Sequence, residues 1–125
     1  MIIRPYLKRD KEFCREILDA EGITEGHEYE NSPTWILEDD LTIGFFTIVL
    51  DTFPKLQHFC IKGDLRTMVR ARIMIKAVKQ VLRDWGVGQF LINSPKEYLN
   101  KMIEYYFKTK PIFKNEKSKT YLLEV

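Results

Sequence analysis

The chain has 125 residues, 45% of them apolar and 30% charged, the make-up of a single globular domain (1–125) that can bury a core without disulfide or metal staples. Its 20 basic and 18 acidic residues leave a formal charge of only +2, which argues against a nucleic-acid binder, and no apolar run nears the ~20 residues of a membrane helix. Cys14 and Cys60 lack metal-like spacing and read as buried free thiols of a reducing compartment, with a disulfide the minority alternative. Residues 1–5 lack the apolar core of a signal peptide, so a cytoplasmic location is expected.

In chain order, residues 2–6 form a short strand candidate. Asp10 is placed to cap a helix whose apolar stripe is Phe13, Ile17 and Leu18, and Gly22 stops it. Residues 24–33 are polar and turn-rich, so a loop is expected there. Residues 35–38 and 41–50 read as two strands around an Asp39-Asp40 turn. The second is apolar on both faces, as a central strand covered by helices would be. Phe53-Pro54 turns the chain into a strand over 56–61. A long helix follows from about Thr67 to Trp85. Ala71, Met74, Ile75, Val78, Val81, Leu82 and Trp85 fall on one face, and Arg72, Lys76, Lys79 and Arg83 on the other. Gly86 and Gly88 end it. A strand over 89–92, a helix opened by Ser94-Pro95 and running to about Lys108, and strand candidates at Phe113 and 120–125 complete the order β-α-β-β-β-α-β-α-β(-β).

The segment 56–72 carries the most chemistry. A strand feeding a positively charged helix N-terminus is an anion site, because free backbone N–H groups and the helix dipole point out of the first turn. No acidic residue lies between Asp64 and Asp84. A phosphate-bearing guest suits such a place.

These residues together resemble the GCN5-related N-acetyltransferase (GNAT) superfamily over nearly the whole chain. Ile3-Arg4-Pro5, with Asp10 opening a helix, is similar to the usual start of the family. Glu38-Asp39-Asp40 followed by Ile43-Gly44-Phe45 is similar to its second hairpin. The acyl-CoA signature of the family is Arg or Gln, two residues, Gly, one residue, then Gly or Ala. Here it is matched by Arg66-Thr67-Met68-Val69-Arg70-Ala71, with Val69 standing in place of the central glycine. The compact size and the His58-Phe59 strand also resemble small GNAT-like proteins of tailed bacteriophages.

The resemblance implies an α/β (α+β) fold, a mixed and mostly antiparallel twisted sheet of six or seven strands flanked by three main helices. It implies acetyl-CoA as cosubstrate, with the pyrophosphate on backbone N–H groups of Arg66, Thr67, Met68, Val69, Arg70, Ala71 and Arg72, and the pantetheine arm beside Phe59, Cys60 and Ile61. The expected partners are acyl-CoA and a small-molecule or protein amine acceptor; a homodimer is among the assemblies considered, and membrane and nucleic acid are not expected.

The remaining candidates stay open between two readings. The family carries a tyrosine near the end of the last helix, close to the thioester sulfur. Tyr105 or Tyr106 could be that acid, although aromatics at helical spacing more often fill cores. The family's Gly-Phe after this helix is Pro111-Ile112-Phe113 here, which loosens the register. Asn93, at the end of a strand, is a cofactor contact or a turn residue. His58 is a base near neutrality or a satisfied strand histidine. Glu38 is a base acting through water or a solvated turn carboxylate. His27, Glu28 and Glu30 touch an acceptor or belong to a polar loop. The Arg72, Lys76, Lys79, Arg83 stripe is most simply a solvated face, whose N-terminal end could hold the 3′-phosphate of CoA. Two functional expectations follow: an acyl-CoA-dependent N-acyltransferase, or a GNAT-fold binding or assembly protein without catalysis, such as one of phage origin.

Overall fold

In a computed structural model the described residues are 1–23, 28–50 and 52–125. Ten main elements follow one another: β1 (Ile2–Pro5), α1 (Lys11–Ala20), β2 (Thr34–Asp39), β3 (Leu41–Leu50), β4 (Pro54–Ile61), α2 (Met68–Asp84), β5 (Gln89–Ser94), α3 (Glu97–Tyr106), β6 (Phe113–Lys114) and β7 (Lys119–Glu124). The strands form one seven-stranded sheet in the order β1-β2-β3-β4-β5-β7-β6. The β4–β5 pair is parallel, through Lys55↔Leu91 and Leu56↔Ile92, and the β1–β2, β2–β3, β5–β7 and β6–β7 pairs are antiparallel. This is the mixed, mostly antiparallel sheet with three helices that the sequence leads one to expect.

The chain divides into two compact units. The first comprises Met1–Val49 and Gln57–Arg66, the second Leu50–Leu56 and Thr67–Val125.

In the first unit β2 and β3 make the hairpin read from sequence. Asp40 sits at its turn with φ 63°, a left-handed conformation that aspartate tolerates better than most residues. A bulge interrupts the pairing between Leu37 and Glu38. The core joins Cys14, Ile17 and Leu18 of α1 to Tyr29, Ile36, Phe45 and Cys60. Gly44 has a steric reason: a Cβ there would lie 2.3 Å from the Cys60 carbonyl oxygen. Only glycine lets β3 approach β4 this closely.

Asp10 ends a short 3-10 turn and precedes α1, but its carboxylate does not cap the helix. It receives both Arg4 Nη groups at 2.8 Å and the Leu7 N–H at 2.8 Å. Arg4 Nε donates to Glu38 at 2.7 Å. Arg4 therefore ties β1 to the entry of α1 and to β2, and its forked guanidinium suits that geometry. The paired Arg4 holds the Asp10 carboxyl below the usual carboxylate range. Gly22, with φ 77°, stops α1 as expected.

In the second unit α2 and α3 pack together, and α3 also packs on β5. Ala71, Met74, Ile75, Val78 and Leu82 are fully buried on the apolar face of α2. Trp85 departs from the expected stripe. It is 40% exposed because the helix has ended and it serves as the C-cap. Lys79 departs from the expected solvated face. Its ammonium lies 4.2 Å from the centre of the Phe107 ring, and burial pushes its pKa down.

Candidate active site

The first turn of α2 is built by a sequence that caps itself. Thr67 is extended at φ −138° and ψ 157°, and its Oγ1 accepts the Arg70 N–H at 3.1 Å. The Thr67 carbonyl accepts the Ala71 N–H at 3.0 Å. Two donors of the turn remain, the N–H groups of Met68 and Val69, with no hydrogen-bond partner among the described residues. Both residues are exposed, Val69 at 64%. The valine in the glycine position therefore carries its side chain out into solvent. No acidic residue lies in this turn, and Arg70 and Arg72 flank it. What the turn offers is two aligned amides at the positive end of a 17-residue helix.

Arg66 immediately precedes this turn in the chain. Within the first unit its Nη2 lies 3.8 Å from Glu21 Oε1, and the Cys60 thiol lies 3.7 Å from Glu21 Oε2. A cavity of about 280 Å³ opens here, walled by Phe13, Ile17, Ala20 and Ile61, with Glu21 and Arg66 among its polar lining. Glu21 did not stand out in the sequence. It follows the α1 stripe in a stretch that reads only as helix end.

Phe59, Cys60 and Ile61 are all buried at the end of β4. His58 is buried as well, with Nε2 3.2 Å from a Glu28 carboxylate oxygen and its ring among those of Tyr29 and Phe45. Glu38 is held by Arg4, and Glu30 lies 3.5 Å from Lys11 Nζ. His27 lies outside the described residues.

In the second unit Tyr105 is 73% exposed and meets Tyr106 edge-on. Tyr106 lies beneath the Arg72 guanidinium, 5.1 Å from its ring centre. Arg72 is thus engaged with α3. Asn93 donates from Nδ2 to Thr120 Oγ1 at 2.7 Å and to Ser118 Oγ at 3.3 Å, which fixes it to β7 and the turn before it. Sequence reading also passed over Glu104, which receives the Tyr121 hydroxyl at 2.6 Å and Lys119 Nζ at 3.3 Å. A carboxylate next to the candidate Tyr105 in the chain was the available signal. Among the described residues no group of three or more His, Cys, Asp or Glu side chains could hold a metal ion. Nor is any described helix long and apolar enough to cross a membrane.

No protein-family model matches this chain. No curated protein matches it by sequence. Its fold, by contrast, is that of the GNAT acetyltransferases. It is similar to an aminoglycoside 6′-acetyltransferase type Ii, at TM-score 0.76 and 14% identity over 99% of this chain and 97% of that one. It is similar to a GNAT-family acetyltransferase from Staphylococcus aureus Mu50, at TM-score 0.74 and 12% identity over 98% of each chain. It is also similar to the N-acetylglutamate synthase from Neisseria gonorrhoeae, at TM-score 0.73 and 13% identity over 98% of this chain but 34% of that one. That synthase was solved in complex with coenzyme A and N-acetyl-glutamate.

Proposed function

We propose that this protein is an acyl-CoA-dependent N-acyltransferase, with acetyl-CoA as the acyl donor and an amine as acceptor. The observation that carries the reading is the first turn of α2: two uncommitted amides, no acid, and arginines on either side, at the place where the Arg66 to Ala71 match to the GNAT signature falls. The fold shared with acetyltransferases, one of them solved with CoA, supports it. A fold alone does not make an activity, so the turn matters more than the likeness.

The residues fit an anionic guest. Met68 and Val69 N–H groups donate to phosphate oxygens, and charged hydrogen bonds to backbone amides are about twice as strong as neutral ones. Arg66, Arg70 and Arg72 add positive charge. Acyl-CoA supplies an activated thioester carbonyl. The chain's own share of the chemistry is to bind and orient it, and to offer a donor where an oxyanion develops and groups that move the amine's proton. Tyr105 and Tyr106 are the acid candidates on α3, and Asn93, Phe59, Cys60 and Ile61 complete the proposed cofactor contacts.

One observation favours a second reading, a GNAT-fold binding or assembly protein without turnover. The two base candidates are occupied: Glu38 by Arg4, and His58 buried beside Glu28. The experiment is acetyl transfer to a panel of primary amines, read as release of free CoA thiol. Turnover abolished by Arg66→Glu supports the transferase. Tight acetyl-CoA binding with no turnover on any amine selects the second reading.

A further inference from the structure

A cavity of about 750 Å³ lies in the second unit, between one face of α3 and the turn that joins β6 to β7. Its size is that of a small-ligand pocket, which typically spans about 300–1,000 Å³. The turn wall is hydrogen-bonded within itself. Asn115 Oδ1 accepts the N–H groups of Lys117 at 2.8 Å and Ser118 at 2.9 Å, and Asn115 N–H returns to the Ser118 carbonyl at 3.0 Å.

The helix wall presents Asn100 and Glu104, four residues apart and so roughly 6 Å from each other on one face. Asn100 is 7% exposed, and its Oδ1 is buried without a hydrogen bond among the described residues. A buried acceptor left unmade is unfavourable, and because Asn100 lines the cavity, a turn of its side-chain amide brings Oδ1 to a ligand donor that relieves it. Glu104 takes Tyr121 and Lys119 on Oε2 alone, so Oε1 remains available among the described residues. The hydrogen bond from Tyr121 keeps this carboxyl below the usual carboxylate range, hence ionised at neutral pH. The exposed Tyr105 ring also lines the cavity. Its basic side chains are partly engaged: Lys119 with Glu104 and Lys101 with Glu97, each at 3.3 Å.

Two acceptors one helical turn apart, one of them charged, beside an open aromatic face match a planar cation with several fixed donors. We infer that the α3 cavity binds a guanidinium group, with its N–H fork shared between Asn100 Oδ1 and Glu104 Oε1 and its face against Tyr105. A guanidinium is flat, weakly hydrated and rich in donors, so it satisfies both acceptors where an ammonium offers a single point charge. The two acceptors, Asn100 and Glu104, are not among the proposed acyl-CoA contacts, and only Tyr105 is common to both sites, so the test is run without acetyl-CoA.

The test is NMR titration of the intact protein, without acetyl-CoA, using methylguanidinium and N-acetyl-arginine amide as separate probes. The expected result is a saturable shift of the Asn100 side-chain amide with at least one probe at millimolar concentration. Glu104→Gln weakens it at least tenfold. Asn100→Leu abolishes binding; because it also removes the 3.4 Å hydrogen bond from Asn100 Nδ2 to the Ser94 carbonyl, its Tm is measured alongside to confirm folding. If that variant does not fold, Glu104→Gln alone decides. Tighter binding of the capped arginine marks a peptide side chain as the source; equal or tighter binding of methylguanidinium marks a free small cation. No saturable shift with either probe, or binding indifferent to Glu104→Gln, overturns the inference.

Discussion

Thr67 caps Arg70: the threonine Oγ1 takes the Arg70 amide at 3.1 Å, so the α2 turn spends one donor on itself and presents those of Met68 and Val69 outward. Removing the hydroxyl leaves an unsatisfied amide at the helix start. Thr67→Ala is expected to lower stability by about 1 kcal/mol, and Thr67→Ser to retain most of it. Chemical denaturation of the three proteins checks this. Equal midpoints for wild type and Thr67→Ala would show that the cap contributes nothing.

The Arg4–Asp10 pair sets an acid limit. The folded pKa of Asp10 lies below its unfolded value of roughly 3.9. Its contribution is therefore fully present above that pH and is lost as pH falls through the folded pKa. Asp10→Asn should destabilise the protein at neutral pH and flatten the decline in stability below about pH 4. Unfolding free energies measured from pH 2 to 7 test it. A variant with the same acid slope as wild type would remove Asp10 as the cause.

Gly44 cannot carry a side chain without moving β4. The clash is with the Cys60 backbone carbonyl, at 2.3 Å from the added Cβ, so no flexible side chain can yield. Gly44→Ala should cost about 1–3 kcal/mol, seen as a lower Tm. An unchanged Tm would mean that β3 and β4 can separate freely.

Cys14 is fully buried, and burial pushes its thiol up to about 12. The thiolate is the reactive form, so iodoacetamide should not label Cys14 in the native protein at neutral pH and should label it on unfolding. Mass spectrometry of the labelled site reads the outcome. Native labelling at the rate of a free thiol would contradict the burial.

The sequence carried the fold well, for identifiable reasons. The apolar period of α2, the two-faced β3 and the turn at Asp39-Asp40 are local patterns, and each reappears as an element. What was hidden depends on contacts far apart in the chain. Arg4 meets Glu38 across 34 positions and Tyr121 meets Glu104 across 17, and no periodicity reports either pair. Asp10 looked like a cap because it precedes a helix, yet Arg4 claims its carboxylate. Val69 stands where the family signature has glycine, yet at the outer side of a first turn its side chain is exposed. Burial and pairing, not residue type, decide which of His58, Glu38 and Tyr105 remain available, and those are tertiary facts.

We propose that the first-turn amides of α2 hold the phosphates of acyl-CoA. Met68→Pro removes one of those donors while placing proline where helices accept it, after an already extended Thr67. Calorimetric titration with acetyl-CoA, wild type against Met68→Pro, is the direct measurement. The wild type should bind, and a variant of equal helicity should bind at least tenfold more weakly. No binding by the wild type at millimolar acetyl-CoA, or equal binding by both, would contradict it.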